Sequence, residues 1–371
     1  MPLAARFAQA AAAAGYRRDE PLMIAATIAG RGRAHLVRGC VPIAPPSPIL
    51  VAPAAPVPAA VPGGEGSAGE CATGRFTAGT LVYAASLAKQ VTAGCAALLA
   101  RDGALDVDAP LAHFLPELPP WAATVRVRHL IHHTSGLPLG DQSPPAIDRA
   151  GPAESSGRAA PGEALPGSDR ARLAEPDRTT AGVLAAAGDG PVTPPGTRYA
   201  YSNVGYVALG AVVERVAGRS LDDVARARIF EPLGMTAARF WTGPGPAPAG
   251  AAPLDPVHPA PLSAGDGGMW STAADLLRWC AGLDADALGI TARVQTPGRL
   301  DDDTPLGYAW GMGVRASRGR TVYRHGGSYA DVRTMLIRVP EEGFDLVILA
   351  LADRTERWTA LADDLIAQRP G

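Results

Sequence analysis

Strand-forming sequence lies at the two ends of this chain, and helical sequence fills the middle. Near the N-terminus, Leu22 to Ile28, a Gly30-Arg31-Gly32 turn and Arg33 to Val37 read as a β-hairpin. Strand period returns only after Pro305, in Tyr308 to Val314, Thr321 to His325, Val332 to Val339 and Phe344 to Leu351, with a turn at Pro340-Glu341-Glu342-Gly343. This distribution predicts an α+β fold: one antiparallel sheet built from both chain ends, flanked by terminal helices, with an all-α lobe inserted. The expected division is a discontinuous sheet lobe, 1–78 plus 300–371, and a helical lobe, 79–299.

The helices follow from apolar spacing and end signals. Leu87, Val91, Cys95 and Leu98 form one face of a helix stopped by Asp102-Gly103. A second helix spans about 204–217 and ends at Gly218, and a third opens with the cap-like Ser220-Leu221-Asp222-Asp223. A fourth covers 273–281, and a last one carries Trp358, Leu361, Leu365 and Ile366. The N-terminal stretch to Gly15 lacks a basic start and a strongly apolar core, so it reads as an amphipathic helix rather than a signal peptide. Residues 41–69 and 140–176 are rich in Pro, Ala and Gly without helical or strand period, and are expected to be flexible surface loops.

Charge excludes several classes of partner. A net charge of −2 leaves no basic excess for nucleic acid or an anionic membrane, and no apolar run is long enough to span a bilayer. Cys40, Cys71, Cys95 and Cys280 have no metal-ligand spacing, so no metal or cofactor is expected, and the compartment reads as cytoplasmic. Cys95 and Cys280 fall in helical patterns and are expected in the core, and Trp270 and Trp310 in the core or a pocket wall.

Of the 34 Lys and Arg residues only one is lysine, Lys89, three residues after Ser86. Arginine does not give up its proton at ordinary pH, whereas a buried lysine can. The chain therefore keeps its sole titratable side-chain amine one helical turn from a hydroxyl, the arrangement of a serine nucleophile activated by an amine. Two further segments fit that chemistry. Tyr201-Ser202-Asn203 follows a Pro194-Pro195-Gly196 turn and precedes a helix, so it reads either as a proton relay or as a packed Tyr201 with a capping Asn203. His325-Gly326-Gly327-Ser328 ends a strand, where glycines permit close backbone approach and the Ser328 N–H becomes an oxyanion donor; the alternative is a bulge beside a surface histidine.

Together these elements resemble the serine β-lactamase and penicillin-binding-protein superfamily, in particular class C β-lactamases, D-alanyl-D-alanine carboxypeptidases, D-aminopeptidases and β-lactamase-fold esterases. The resemblance runs from Thr80 to about Leu351 and includes Arg128-His129-Leu130-Ile131-His132-His133-Thr134-Ser135-Gly136-Leu137-Pro138, Pro195-Gly196-Thr197-Arg198-Tyr199, Phe230-Glu231-Pro232-Leu233-Gly234-Met235 and Gly307-Tyr308-Ala309-Trp310-Gly311. It implies Ser86 as nucleophile, Lys89 as amine partner, Tyr201 as general base and acid, and Asn203 as a substrate-orienting amide. The Ser86 and Ser328 N–H groups would form the oxyanion hole, with His325, Gly326 and Gly327 beside it. The histidines at 129, 132 and 133 are read as packing residues. His325 stands where carboxylate-binding relatives carry a lysine, so fixed positive charge is absent there. The implied activity is hydrolysis of an ester or amide through an acyl-enzyme. An acyltransferase, or a sensor that acylates without turnover, is the alternative.

Overall fold

The computed structural model describes residues 3–28, 32–40, 76–139, 178–243, 247–254, 260–353 and 355–369. Both expected flexible loops, 41–69 and 140–176, lie outside them. Along the chain, helix α1 (Leu3–Ala13) precedes strands β1 (Leu22–Ile28) and β2 (Gly32–Arg38). Strand β3 (Val82–Tyr83), a tight 3-10 turn over Ala85–Leu87 and helix α2 (Ala88–Arg101) come next. The middle of the chain holds α3 (Leu111–Phe114), α4 (Val127–Ile131), α5 (Thr180–Ala185), α6 (Asn203–Ala217), α7 (Leu221–Ala225), β4 (Arg239–Phe240), β5 (Met269–Ser271), α8 (Ala273–Asp284) and α9 (Thr291–Gln295). Strands β6 (Gly313–Ser317), β7 (Arg320–Tyr329), β8 (Val332–Val339) and β9 (Phe344–Ala350) and helix α10 (Arg357–Ala367) finish it.

The two chain ends meet in one six-stranded sheet of order β2-β1-β9-β8-β7-β6. β1 joins the C-terminal meander through antiparallel pairing with β9, from Leu22 opposite Ala350 to Ile28 opposite Phe344. Every residue of β8 and β9 is buried, because both faces of the sheet are covered. The two-residue period of a strand divides their side chains between two cores. Ile24, Met335, Ile337, Leu346 and Ile348 pack with α1 and α10, whereas Met23, Leu336, Val347 and Leu349 face the helical side. A three-stranded sheet, β3-β5-β4, lies apart from the large one.

Three sequence expectations are corrected. Tyr308 to Met312 is not strand: Tyr308 makes only an isolated bridge to Gly313, and the backbone turns, with Ala309 N–H donating to Met312 O and Val314 N–H to Gly307 O. β7 does not end at His325 but runs on through Gly326, Gly327 and Ser328 to Tyr329. Finally, α2 is not a one-faced helix. All twelve residues from Ala88 to Leu99 are buried, including Lys89, Gln90 and Thr92. A helix buried all round is a central element, and this one is walled by α6, α7 and α9, while β7 packs on the turn that feeds it. Cys95 and Cys280 are buried free thiols, as expected, while Cys40 is disulfide-bonded.

Candidate active site

Ser86 sits in the tight turn that feeds α2, so its N–H belongs to the first turn of helical structure, where such groups lack intrahelical partners. The residue before it, Ala85, is held at φ 48°, a left-handed conformation that a non-glycine residue adopts at a cost of about 1–3 kcal/mol. The turn is pinned from the sheet side: Thr334 Oγ1 donates to Ala84 O at 3.0 Å. Gly327 makes this approach possible. A Cβ at that position would lie 2.4 Å from Thr334 Oγ1, 2.8 Å from Ala85 Cβ and 2.9 Å from Ala84 O. Only glycine lets β7 lie this close to the nucleophile turn.

The spacing of Ser86 and Lys89 along the helix brings Nζ 3.0 Å from Oγ. Nζ also donates to Asn203 Oδ1 and to the Asp266 backbone O, both at 2.8 Å. Its three protons thus have three acceptors, one from each of three segments far apart in sequence. Lys89 is fully buried, and loss of water pushes its amine down from 10.5 to about 7, partly opposed by the negative charge of Asp266. The Tyr201 hydroxyl donates to Ser86 Oγ at 3.2 Å, and its ring lies 5.0 Å from Nζ. Burial moves the Tyr201 phenol well above its ordinary value, so it stays protonated at neutral pH.

Asn203 does not cap α6. Ser202 does, accepting from Gly205 N–H at 2.9 Å and donating to Pro138 O at 2.7 Å. The division of labour is physical: the cap position needs an acceptor pointing along the helix, and giving that task to serine leaves the Asn203 amide free to face Nζ.

His325 is brought near but not into the open. It is buried, its Nδ1–H donates to Gly326 O at 2.7 Å, and Nε2 accepts from Tyr308 OH at 3.1 Å. Burial, with Lys89 nearby, lowers its imidazole to about 3, so it is neutral. Both ring nitrogens are spent inside the protein, in keeping with the lack of fixed positive charge expected at this position. Ser328 is partly exposed and pairs with Arg333 one step inside the hairpin closed by Tyr329 and Val332. A two-residue hairpin closes on a hydrogen-bonded pair, and bonded and non-bonded pairs alternate, so the Ser328 N–H turns away from β8.

Three contributors were not assigned a site role from sequence. Asp266 carries the carbonyl on Nζ; a glycine-flanked acid at Gly265-Asp266-Gly267 was the available signal. Tyr308 holds His325. His133, read as packing, does pack, but on the site itself: its ring centroid lies 4.2 Å from that of Tyr201, and Nδ1 accepts from Ser202 N–H. His129 donates towards Asp301 at 3.3 Å, away from Ser86. Among the described residues no cluster of His, Cys, Asp or Glu could hold a metal, and no helix is long and apolar enough to cross a membrane.

The sequence profile of the beta-lactamase family matches residues 10–369. The chain belongs to the beta-lactamase family. Within known proteins it is similar to a D-aminopeptidase from Cereibacter sphaeroides, 28% identical over 167 residues, or 42% of this chain and 32% of that protein. The match therefore spans about a third of that relative's length. In fold it is similar to a D-stereospecific amidohydrolase from Streptomyces sp. (TM-score 0.69, 21% identity, 98% of both chains). It is similar also to the D-amino acid amidase from Ochrobactrum anthropi SV3 (TM-score 0.68, 18% identity, 98% of both chains). The family's fold agrees with the α+β architecture expected from the sequence.

Proposed function

We propose that this member of the beta-lactamase family is a serine hydrolase that cleaves an amide or ester through an acyl-enzyme on Ser86. The observation that carries the reading is the continuous chain Tyr201 OH, Ser86 Oγ, Lys89 Nζ, with bonds of 3.2 and 3.0 Å. Ser86 Oγ attacks the substrate carbonyl carbon while its proton passes to the neutral Lys89 amine. The Ser86 and Ser328 N–H groups receive the oxyanion. The proton returns from the Lys89 ammonium through the Tyr201 hydroxyl to the leaving amine or alcohol, and water then cleaves the acyl-enzyme by the same route in reverse.

This assigns the basic role to Lys89 rather than to Tyr201, because the amine is poised near neutrality and the phenol is not. Asn203 orients both Nζ and the substrate. His325 and Gly326 shape the strand from behind, and Gly327 seats it against the nucleophile turn. The site joins the expected sheet lobe (1–78 with 300–371), which brings Ser328, to the helical lobe (79–299), which brings Ser86, Lys89 and Tyr201. His325 is neutral where carboxylate-binding relatives carry a lysine, which favours neutral amides and esters. The names of the similar proteins point to amides of D-amino acids.

The expected cytoplasmic location is opposed by the Cys40 disulfide, since such bonds persist in oxidising compartments; an oxidising compartment is the better reading. The test is an activity panel of D- and L-amino-acid amides, short-chain nitrophenyl esters and a chromogenic cephalosporin, with peptide mapping of a fluorophosphonate adduct. Turnover of D-amides with the adduct on Ser86 is expected. An adduct on Ser135, Ser202 or Ser328 would overturn the assignment.

A further inference from the structure

Lys89 must lose a proton to act as base, and everything facing its Nζ bears on how readily it does so. From α2 itself and the preceding turn comes the Ser86 hydroxyl, and from α6 come Asn203, neutral, and Tyr206, whose ring lies 5.6 Å away and whose phenol burial raises well above its ordinary value. Before α6, Tyr201 stays protonated. His133 and His325 are both buried and both lowered, so both are uncharged at neutral pH. The remaining group is Asp266. Its backbone carbonyl accepts from Nζ, and covalent geometry keeps a residue's carboxylate within about 5 Å of its own carbonyl oxygen.

That carboxylate is buried, at 2% exposure. Burial raises this carboxyl above its ordinary value, opposed by the nearby Lys89 and by the N–H groups of its own residue and of Gly267, and among the described residues its Oδ1 has no hydrogen-bond partner. A buried carboxylate with an idle oxygen is a cost to the fold unless something compensates it. The loop is nevertheless built to hold it. A Cβ on Gly265, which stands at φ 122°, would lie 2.3 Å from Tyr206 O, and Thr92 Oγ1 donates to Gly265 O at 2.8 Å. The segment is thereby clamped between α2 and α6, with Asp266 facing the only lysine in the chain.

We propose that the Asp266 carboxylate is a positioning residue that acts through Lys89, as the counter-charge that sets how tightly this amine holds its proton. The contact that Asp266 makes in the site is with Lys89, not with the Ser86 hydroxyl. Its negative charge favours the ammonium, against the loss of water that favours the free amine, and the balance places the amine where it both takes and returns a proton near neutrality. The inference rests on the reading of Lys89 as the base.

Because Lys89 is the only lysine, protein grown with lysine carrying 13C at Cε gives one side-chain signal whose titration needs no activity. Wild type is expected to titrate near 7 and Asp266→Asn about one unit lower or more, the usual size of a neighbouring opposite charge. A midpoint unmoved within about 0.3 unit overturns the proposal, and so does a loss of rate that is equal at every pH. Asp266→Ser is read in the same way should the asparagine variant not fold. Should neither fold, the wild-type signal decides: it must show a second, smaller inflection at lower pH as Asp266 titrates, and a single inflection overturns the idea. Retained turnover in Ser86→Ala would sink the hydrolase reading but leave the titration shift intact, so the two failures are distinguishable.

Discussion

The rate of acylation should follow the deprotonation of Lys89, and the expected size can be worked out from its burial. At its ordinary value of 10.5 a lysine is neutral in about one molecule in 3,000 at pH 7. With the amine moved to about 7, about half the molecules carry the free base, so burial alone enlarges the reactive fraction by about three orders of magnitude. Between pH 6 and pH 8 that fraction rises from about 9% to about 91%, a tenfold change. The sign is fixed by the role: a base works deprotonated, so rate is lost as pH falls through 7 and levels off above about 8. A stopped-flow burst of nitrophenol from a short-chain nitrophenyl ester, measured from pH 5 to pH 10, reads this directly. Lys89→Arg should abolish the limb together with about 10²–10⁴ of the rate, because a guanidinium does not deprotonate in this range. A burst rate that is flat from pH 6 to pH 8, or that rises only above pH 9, would refute the argument. The second outcome would return the basic role to Tyr201, whose phenol burial raises well above its ordinary value.

Gly327→Ala drives a methyl group into Thr334, Ala85 and Ala84; it should lower the melting temperature and cut the burst rate by at least about tenfold, and normal rates would show that the turn carrying Ser86 has slack. His325→Lys buries an ammonium beside Lys89 and removes the acceptor for Tyr308 OH. It should destabilise by several kcal/mol and bring no gain of cephalosporin over ester turnover, whereas a clear gain would show that this position does face a substrate carboxylate. Ser202→Ala removes the α6 cap and the bond to Pro138 O, for a loss of about 1–2 kcal/mol in chemical denaturation; an unchanged midpoint would contradict the cap assignment.

Much of the architecture was legible because it is written in local period. The hairpin of β1 and β2, the strands β8 and β9, and the end of α6 at Gly218 follow from side-chain alternation and stop signals within a few residues. The misreadings occurred where a local pattern is overruled from a distance. Tyr308 to Met312 has strand-like composition but turns in the structure, and in doing so delivers the Tyr308 hydroxyl to His325. The apolar stripe of α2 is real, yet the helix is buried all round, because its other faces meet partners the stripe cannot announce. The glycines flanking Asp266 signal an unusual backbone, but not that its carbonyl meets an amine 177 residues away.

By itself, the sequence determined which groups can react and which lie within one turn of each other. A single lysine three residues after Ser86, on a helix, places an amine beside a hydroxyl whatever the rest of the chain does. Only the tertiary structure decided what state those groups are in. The amine is poised near neutrality because α6, the Asp266 loop and the turn carrying Ser86 close around it and exclude water, and desolvation is a property of the whole enclosure, which no short stretch of sequence encodes.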